Sequence, residues 1–327
     1  MFTKEYYPSK HFDLQPLTEG VFAAIHKPGG SAYSNAGIID LGDQTLVVDA
    51  FDSVLAASDL RKAAETLLER KVHSLILTHV HSDHWFGATA FDPSTTFMAS
   101  AQTAKEYPEW SQSLIDDFND EEELEGWIKA TEEQLMTEQD ERIKVGLQTS
   151  LERVRHTLSE IEGYQPRYPD RILKEPLQMK GSKRSVEIRS FGGGHSKDDV
   201  VVLLPEDKLA FIGDIGFFNT QPFMGFCDLD QWREQLRSFH DSEFEIFIPG
   251  HGTVGTKKDL ATQLDYFDVM EDLVEQVVLE NGSLKEAKQV VLPKPFDRWL
   301  VGGMARFEIN VEYLFKRIAG NGEEGVK

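Results

Sequence analysis

Apolar and polar positions along this chain fall into two alternating regimes. Residues 20–25, 37–40 and 45–49 are short, branched, apolar runs separated by glycine- or aspartate-bearing turns, and each predicts a strand. Asp52 or Ser53 can cap a helix in which Val54, Ala57, Leu60, Ala64 and Leu67 recur at helical spacing. Residues 72–78 form another apolar strand, so strand, helix and strand make a βαβ unit with parallel strands. A further strand is expected at 96–99.

From 102 to 167 the pattern is helical, acidic and poor in glycine. Asn119 can cap a segment opening on Asp120, Glu121, Glu122 and Glu123, with the acids at the positive end of the helix dipole. Leu147, Leu151, Val154, Leu158 and Ile161 form a stripe that needs an apolar partner, in the hairpin itself or on a second subunit. The homodimer alternative therefore stays open. The segment reads as an insertion that either adds core or covers a site as a lid, with Tyr107, Trp110, Phe118 and Trp127 available as pocket walls.

Strands return at 186–191, 199–204 and 209–212, with a tight turn at Pro205-Glu206-Asp207. Asp228 can cap a helix carrying Leu229, Trp232, Leu236 and Phe239, and residues 245–249 form a last strand. The tail, 257–327, is mostly helical, with Leu264, Phe267, Met270 and Leu273 or Val274 on one face. The reading is one domain over 1–327 of mixed α/β (α+β) class.

Composition narrows the function. Against 34 basic residues stand 56 acidic ones, a net charge of -22. Such a surface disfavours nucleic acid and anionic membranes, and a small-molecule substrate is expected instead. No apolar run is long enough for a membrane helix, the first residues contain no apolar signal core, and the single cysteine, Cys227, allows no internal disulfide. A cytoplasmic location is expected.

The chemistry concentrates in His79-Val80-His81-Ser82-Asp83-His84, directly after an apolar strand. Three imidazoles and a carboxylate within six residues are donors that borderline divalent metals prefer. His195 follows Gly192-Gly193-Gly194, Asp214 follows an apolar strand, and His251 follows Pro249-Gly250. Each is a polar residue at a strand exit, where ligand sites gather at a sheet edge. His11, His26, His73, His156 and His240 have no motif around them and read as structural or exposed. Asp198 or Asp199 can support His195.

The run His79-x-His81-x-Asp83-His84 with His195, Asp214 and His251 resembles the ligand set of the metallo-β-lactamase superfamily in its two-metal form. Val47-Val48-Asp49, Phe211-Ile212-Gly213-Asp214 and Ile248-Pro249-Gly250-His251-Gly252 are similar to that family as well. The resemblance implies an αββα sandwich carrying a helical insertion and a helical C-terminal tail, with metals at one edge. It implies that His79, His81 and His195 hold one metal, that Asp83, His84 and His251 hold the other, and that Asp214 bridges them. Two divalent ions are expected, zinc first, with manganese or iron as alternatives.

Seven ligands suit two metals sharing a carboxylate and a water that ionises near neutral pH. The expected reaction is hydrolysis of an ester, thioester or lactone carbonyl by the bridging hydroxide, with Asp83 orienting it or carrying its proton. The alternatives are an oxidoreductase resembling persulfide dioxygenases, which use a single iron, and a phosphodiesterase. The related lactonases carry a tyrosine three residues after the bridging aspartate, where this chain has Phe217. The stretch 217–224 is rich in aromatic residues and can either line the site or pack as a buried loop.

Overall fold

The apolar strands have two buried faces, and the computed structural model shows what covers each. Residues 7–299 and 306–320 are described. The first sheet runs in order through β1 (Phe12–Thr18), β2 (Val21–His26), β3 (Ala36–Asp40), β4 (Thr45–Val48), β5 (Ser74–Ile76), β6 (Thr96–Ser100) and β7 (Arg171–Leu173). Its first four strands pair antiparallel, and β4 to β7 pair parallel. The second sheet contains β8 (Leu177–Lys180), β9 (Ser185–Ser190), β10 (Val200–Leu204), β11 (Leu209–Phe218) and β12 (Ile246–Gly252), in the order β12-β11-β10-β9-β8. All its pairs are antiparallel except β11 with β12.

The period of two along each strand divides its side chains between two cores. Val21 and Ala23 of β2, Leu46 and Val48 of β4, Val200 and Val202 of β10 and Phe211 of β11 meet in one core between the sheets. Phe22, Ala24 and Val47 face the opposite way, into a core shared with helices on the first sheet. Val201, Leu203, Ala210 and Ile212 do the same on the second. Each of these central strands thus alternates between two apolar partners, which is why it reads as a continuous hydrophobic run. Helix, sheet, sheet and helix form four layers around three cores, the αββα arrangement expected.

The helices are α1 (Val54–Leu68), α2 (Ser82–Trp85), α3 (Ala101–Asn119), α4 (Glu121–Thr137), α5 (Glu141–Ile161), α6 (Leu229–Asp241), α7 (Lys257–Leu279), α8 (Leu284–Ala287) and α9 (Arg306–Ile318). Ser53, rather than Asp52, caps α1, its Oγ accepting from the Ala56 amide at 3.2 Å. The crossover from β4 through α1 to β5 is the expected parallel unit. None of the helices among the described residues is long and apolar enough to cross a membrane.

Two features differ from expectation. Asn119 ends α3 and Asp120 caps α4, accepting from the Glu123 amide at 3.0 Å. The strand expected to stop at 212 continues as β11 through Asp214 to Phe218, because Gly213 adopts a positive φ of 50° and bends the backbone without ending it. The helical stretch 102–167 is anchored to the core at both ends. Tyr107 packs on Trp85 with ring centroids 4.8 Å apart, and Tyr164 stacks on Phe86 at 4.2 Å and donates to its carbonyl at 2.7 Å. Leu147 and Leu151 are buried as α5 packs against α3 and α4, so the stripe finds partners inside the hairpin; Leu158 is left exposed.

Candidate metal centre

Asp49 organises the end of β5. It sits just past β4 at φ 61°, a conformation aspartate tolerates better than most side chains. Its Oδ1 accepts from the Thr78 amide at 2.8 Å, and its Oδ2 accepts from the Thr78 hydroxyl at 2.8 Å. The same Oδ2 lies 2.8 Å from His84 Nδ1, which must therefore carry the proton. Thr78 aims His79 and His81 onward, and the turn of α2 brings Asp83 and His84 back to the same point. Asn35 ties the first sheet to the second, donating from Nδ2 to the carbonyls of Pro249 and Gly252 at 3.0 and 2.9 Å.

The second sheet supplies the rest. The loop carrying His195 is fixed by Gln235 of α6, whose Nε2 donates to the carbonyls of Phe191, Gly192 and Gly193 at 3.2, 3.1 and 3.0 Å. Asp199 accepts from the His195 amide at 2.9 Å and from the Ser196 hydroxyl at 2.7 Å, so Asp199 and not Asp198 supports that turn. Burial pushes its carboxyl up to about 6. Asp214 projects from the middle of β11 and His251 from near the end of β12.

All seven singled-out side chains converge. His79, His81, His195 and Asp214 form one set and Asp83, His84 and His251 another, the donor atoms of each set lying within 4.8 Å of one another. His81 Nδ1 faces His79 Nε2 at 3.0 Å and His195 Nε2 at 2.9 Å. The Thr78 hydroxyl gives its proton to Asp49 and so accepts from His79 Nδ1 at 3.1 Å, which leaves His79 Nε2 a bare lone pair. His84 Nε2 and Asp214 Oδ1 stand 3.1 Å apart, yet neither has a hydrogen-bond partner among the described residues. Lone pairs aimed at one another in a buried space are costly unless a cation lies between them, and this donor set fits divalent ions of the zinc type.

Asp214 reaches both sets, at 3.1 Å from His195 Nε2 and 3.4 Å from His251 Nε2 through Oδ2. Burial would raise its carboxyl, but the imidazoles of His251, His84, His195 and His79 hold it well below the usual carboxylate range. Burial and the neighbouring His195 push His81 down to about 3, which keeps its ring neutral. Against the effect of burial, the carboxylates of Asp214, Asp49 and Asp83 hold His84 well above the ordinary imidazole value.

A cavity of about 460 Å³ opens beside Asp83, Asp214 and His251. Trp110 and Trp127 line it from α3 and α4, Arg153 from α5, and Phe223 and Phe226 from the loop after β11. The stretch 217–224 thus divides: Phe223 faces the cavity, whereas Phe217, Phe218 and Met224 are buried. Phe217 stacks on His251 with centroids 4.9 Å apart. Of the expected aromatic walls of the insertion, Trp110 and Trp127 are there, and Tyr107 is core.

His11, His26, His73, His156 and His240 take no part in the centre. The first four bond to Ser31, Tyr33, Thr45 and Tyr33 respectively, and His240 lies beside Asp241. Asn35 and Arg306, which also faces the cavity, escaped the sequence reading, and Asp49 entered it only within Val47-Val48-Asp49, with no role assigned. For Asp49 the signal was an acid at the exit of a wholly apolar strand just ahead of the histidine run.

Gly250 leaves the room that Asp214 occupies, since a Cβ there would collide with Asp214 Oδ1. Gly250→Ala is therefore expected to push the carboxylate aside and weaken metal retention roughly 10- to 100-fold, the usual scale for disturbing a ligand's support. Competition with a coloured chelator measures this; unchanged affinity would show that Asp214 does not reach the metals.

A family model described as the metallo-beta-lactamase superfamily matches residues 29–251. Among solved structures, a metallo-beta-lactamase from Pontibacter korlensis is similar at a TM-score of 0.55 and 17% identity, covering 78% of this chain and 98% of the other. One from Erythrobacter litoralis, with beta-mercaptoethanol in its active site, gives 0.55 and 16%, covering 79% and 96%. A third, from Hirschia baltica, gives 0.52 and 19%, covering 78% and 96%. The search of curated proteins finds no match.

Proposed function

Because the chain belongs to the metallo-beta-lactamase superfamily, we propose that it is a hydrolase using two divalent metal ions to cleave an ester, thioester or lactone. The observation that carries this reading is the convergence of seven buried donors, in two sets, at the wall of an aromatic-lined cavity. His79, His81 and His195 would hold one ion and Asp83, His84 and His251 the other, with Asp214 within reach of both. Divalent ions there supply Lewis acidity, which makes water a nucleophile near neutral pH and polarises a carbonyl.

The rest of the chemistry belongs to side chains. Asp83 lies 3.2 Å from His251 Nε2 and also lines the cavity. It takes the proton of the attacking water and returns it to the departing oxygen or sulfur. Asp49 fixes the His84 tautomer, so that Nε2 alone faces the centre. Trp110, Phe223 and Phe226 hold the apolar part of the acyl group and exclude bulk water. Arg153 pairs with buried Asp52 at 2.6 Å and donates to Ser82 at 3.2 Å, binding α5 to the metal-side turn, so the hairpin acts as a fixed wall that helps select substrate.

Elemental analysis and a hydrolysis screen over aryl esters, thioesters, lactones, phosphodiesters and β-lactams test this directly. Close to two divalent ions per chain with turnover of a carbonyl substrate is the expected result. A single tightly held iron with no hydrolysis sinks the reading in favour of oxygen chemistry, and turnover confined to phosphodiesters favours the third alternative.

Phe217 carries a narrower expectation. Its ring is fully buried against His251 and offers no hydroxyl. Acyl-homoserine lactones should therefore be cleaved at least tenfold less efficiently than simple aryl esters. A kcat/KM comparison decides it, and equal efficiency would refute the expectation.

A further inference from the structure

The cavity contains a cation that the metal chemistry does not use. Arg306 opens α9, outside the segment that matches the family model, and its side chain is partly buried at the cavity wall. Its Nη1 donates to the Gln221 carbonyl at 3.0 Å, and its guanidinium lies over the Phe217 ring at 5.6 Å. Among the described residues it has no carboxylate partner. The other arginine of the cavity, Arg153, is already paired with Asp52. Glu308 on the same rim is within 3.3 Å of Lys288, and Asp83 and Asp214 lie in the metal-side cluster of imidazoles. A charged group withdrawn from water without a direct ion pair is costly: burial holds the Arg306 pKa below the ordinary arginine value, although the charges of Asp83 and Asp214 act to raise it.

We propose that Arg306 is the seat for a carboxylate carried by the substrate, so that the reaction is hydrolysis of an acyl compound bearing a free acid. Stacking on Phe217 and the bond to Gln221 fix the plane of the guanidinium, leaving its other N–H groups to grip a carboxylate. Phe217 in turn stacks on His251, so the guanidinium stands one ring away from the metal side, and the acid is separated from the scissile carbonyl by a short chain. Trp110, Phe223 and Phe226 take the apolar remainder. A chain of net charge -22 repels anions over most of its surface, so an anionic substrate needs a local cation of this kind.

The substrate assignment rests on the hydrolase reading, but the anion seat can be measured without turnover. The zinc-loaded native protein and Arg306→Gln are titrated with 3-phenylpropionate and its neutral amide, following tryptophan fluorescence from the cavity. The native protein is expected to bind the acid at least about tenfold more tightly than the amide, and the variant to bring the ratio near one at unchanged zinc content. The same preference in both proteins overturns the proposal, since the metals would then be holding the acid; so does no preference in the native protein. Should Arg306→Gln lose its zinc or its fold, Arg306→Met, which keeps the apolar stem over Phe217, is read by the same criterion. Monophenyl succinate and its methyl ester complete the test. Cleavage of both with equal KM would leave the hydrolase reading standing and remove the acid preference, whereas cleavage of neither would leave the hydrolase reading to the wider screen while the binding ratio still decides Arg306.

Discussion

Replacing Asp214 by Ala is expected to reduce the bound metal from about two ions to one or fewer and to cut turnover by on the order of 10³-fold, with the fold retained. Asp214 is the carboxylate that approaches both donor sets, with Oδ1 3.1 Å from His84 and Oδ2 3.1, 3.4 and 3.7 Å from His195, His251 and His79. Losing it removes the shared ligand and several kcal/mol of the electrostatic organisation that positions water and polarises the carbonyl. Nearby apolar packing is untouched, so circular dichroism should not change. Asp214→Asn, which keeps one oxygen donor, should fall between the two. An Ala variant that retains two ions and native turnover would end the idea of a shared ligand.

Stripping the metals from the native protein should lower its melting temperature by roughly 10 °C, reversibly on readdition of zinc. An ion present at a thousandfold its Kd adds about 4 kcal/mol of stability per site, and a chain of this size converts that into several degrees. The opposing effect is small here, because the bare site leaves His84 Nε2 and Asp214 Oδ1, which face each other, buried without hydrogen-bond partners among the described residues. Calorimetry of chelated and reconstituted samples checks this, and coincident transitions would mean that the donors do not hold metal.

The seven donors were legible because they cluster just past the ends of apolar strands, in the His79–His84 run and beside glycine at His195, Asp214 and His251, a pattern independent of long-range geometry. The central strands were legible for a related reason, since β2, β4 and β10 are apolar on both faces. The missed strands lack that contrast. β1 contains Pro16 beside a register irregularity at the edge of its sheet, where a missing amide donor does no harm. β7 and β8 are short edge strands of three and four residues, in which no residue is fully buried and charged or polar side chains interrupt the apolar ones. The course of β11 was cut short because Gly213 reads as a stop, although with Thr78 against it the glycine is where two chain segments come close. Arg306 is defined by what it touches, the Phe217 ring and the Gln221 carbonyl, which no local pattern announces, whereas Asp49 was marked only as an acid at the exit of an apolar strand.

The division of the donors between two sheets also fixes an order of events during synthesis. His79, His81, Asp83 and His84 leave the ribosome early, and the first sheet has all its strands by Leu173. One donor set still lacks His195 and Asp214, and the other lacks His251, which arrives only with β12. Neither set can close around an ion until the second sheet has been made and has docked through the apolar core between the two. An ion held by either complete set would therefore join two sheets that have already met.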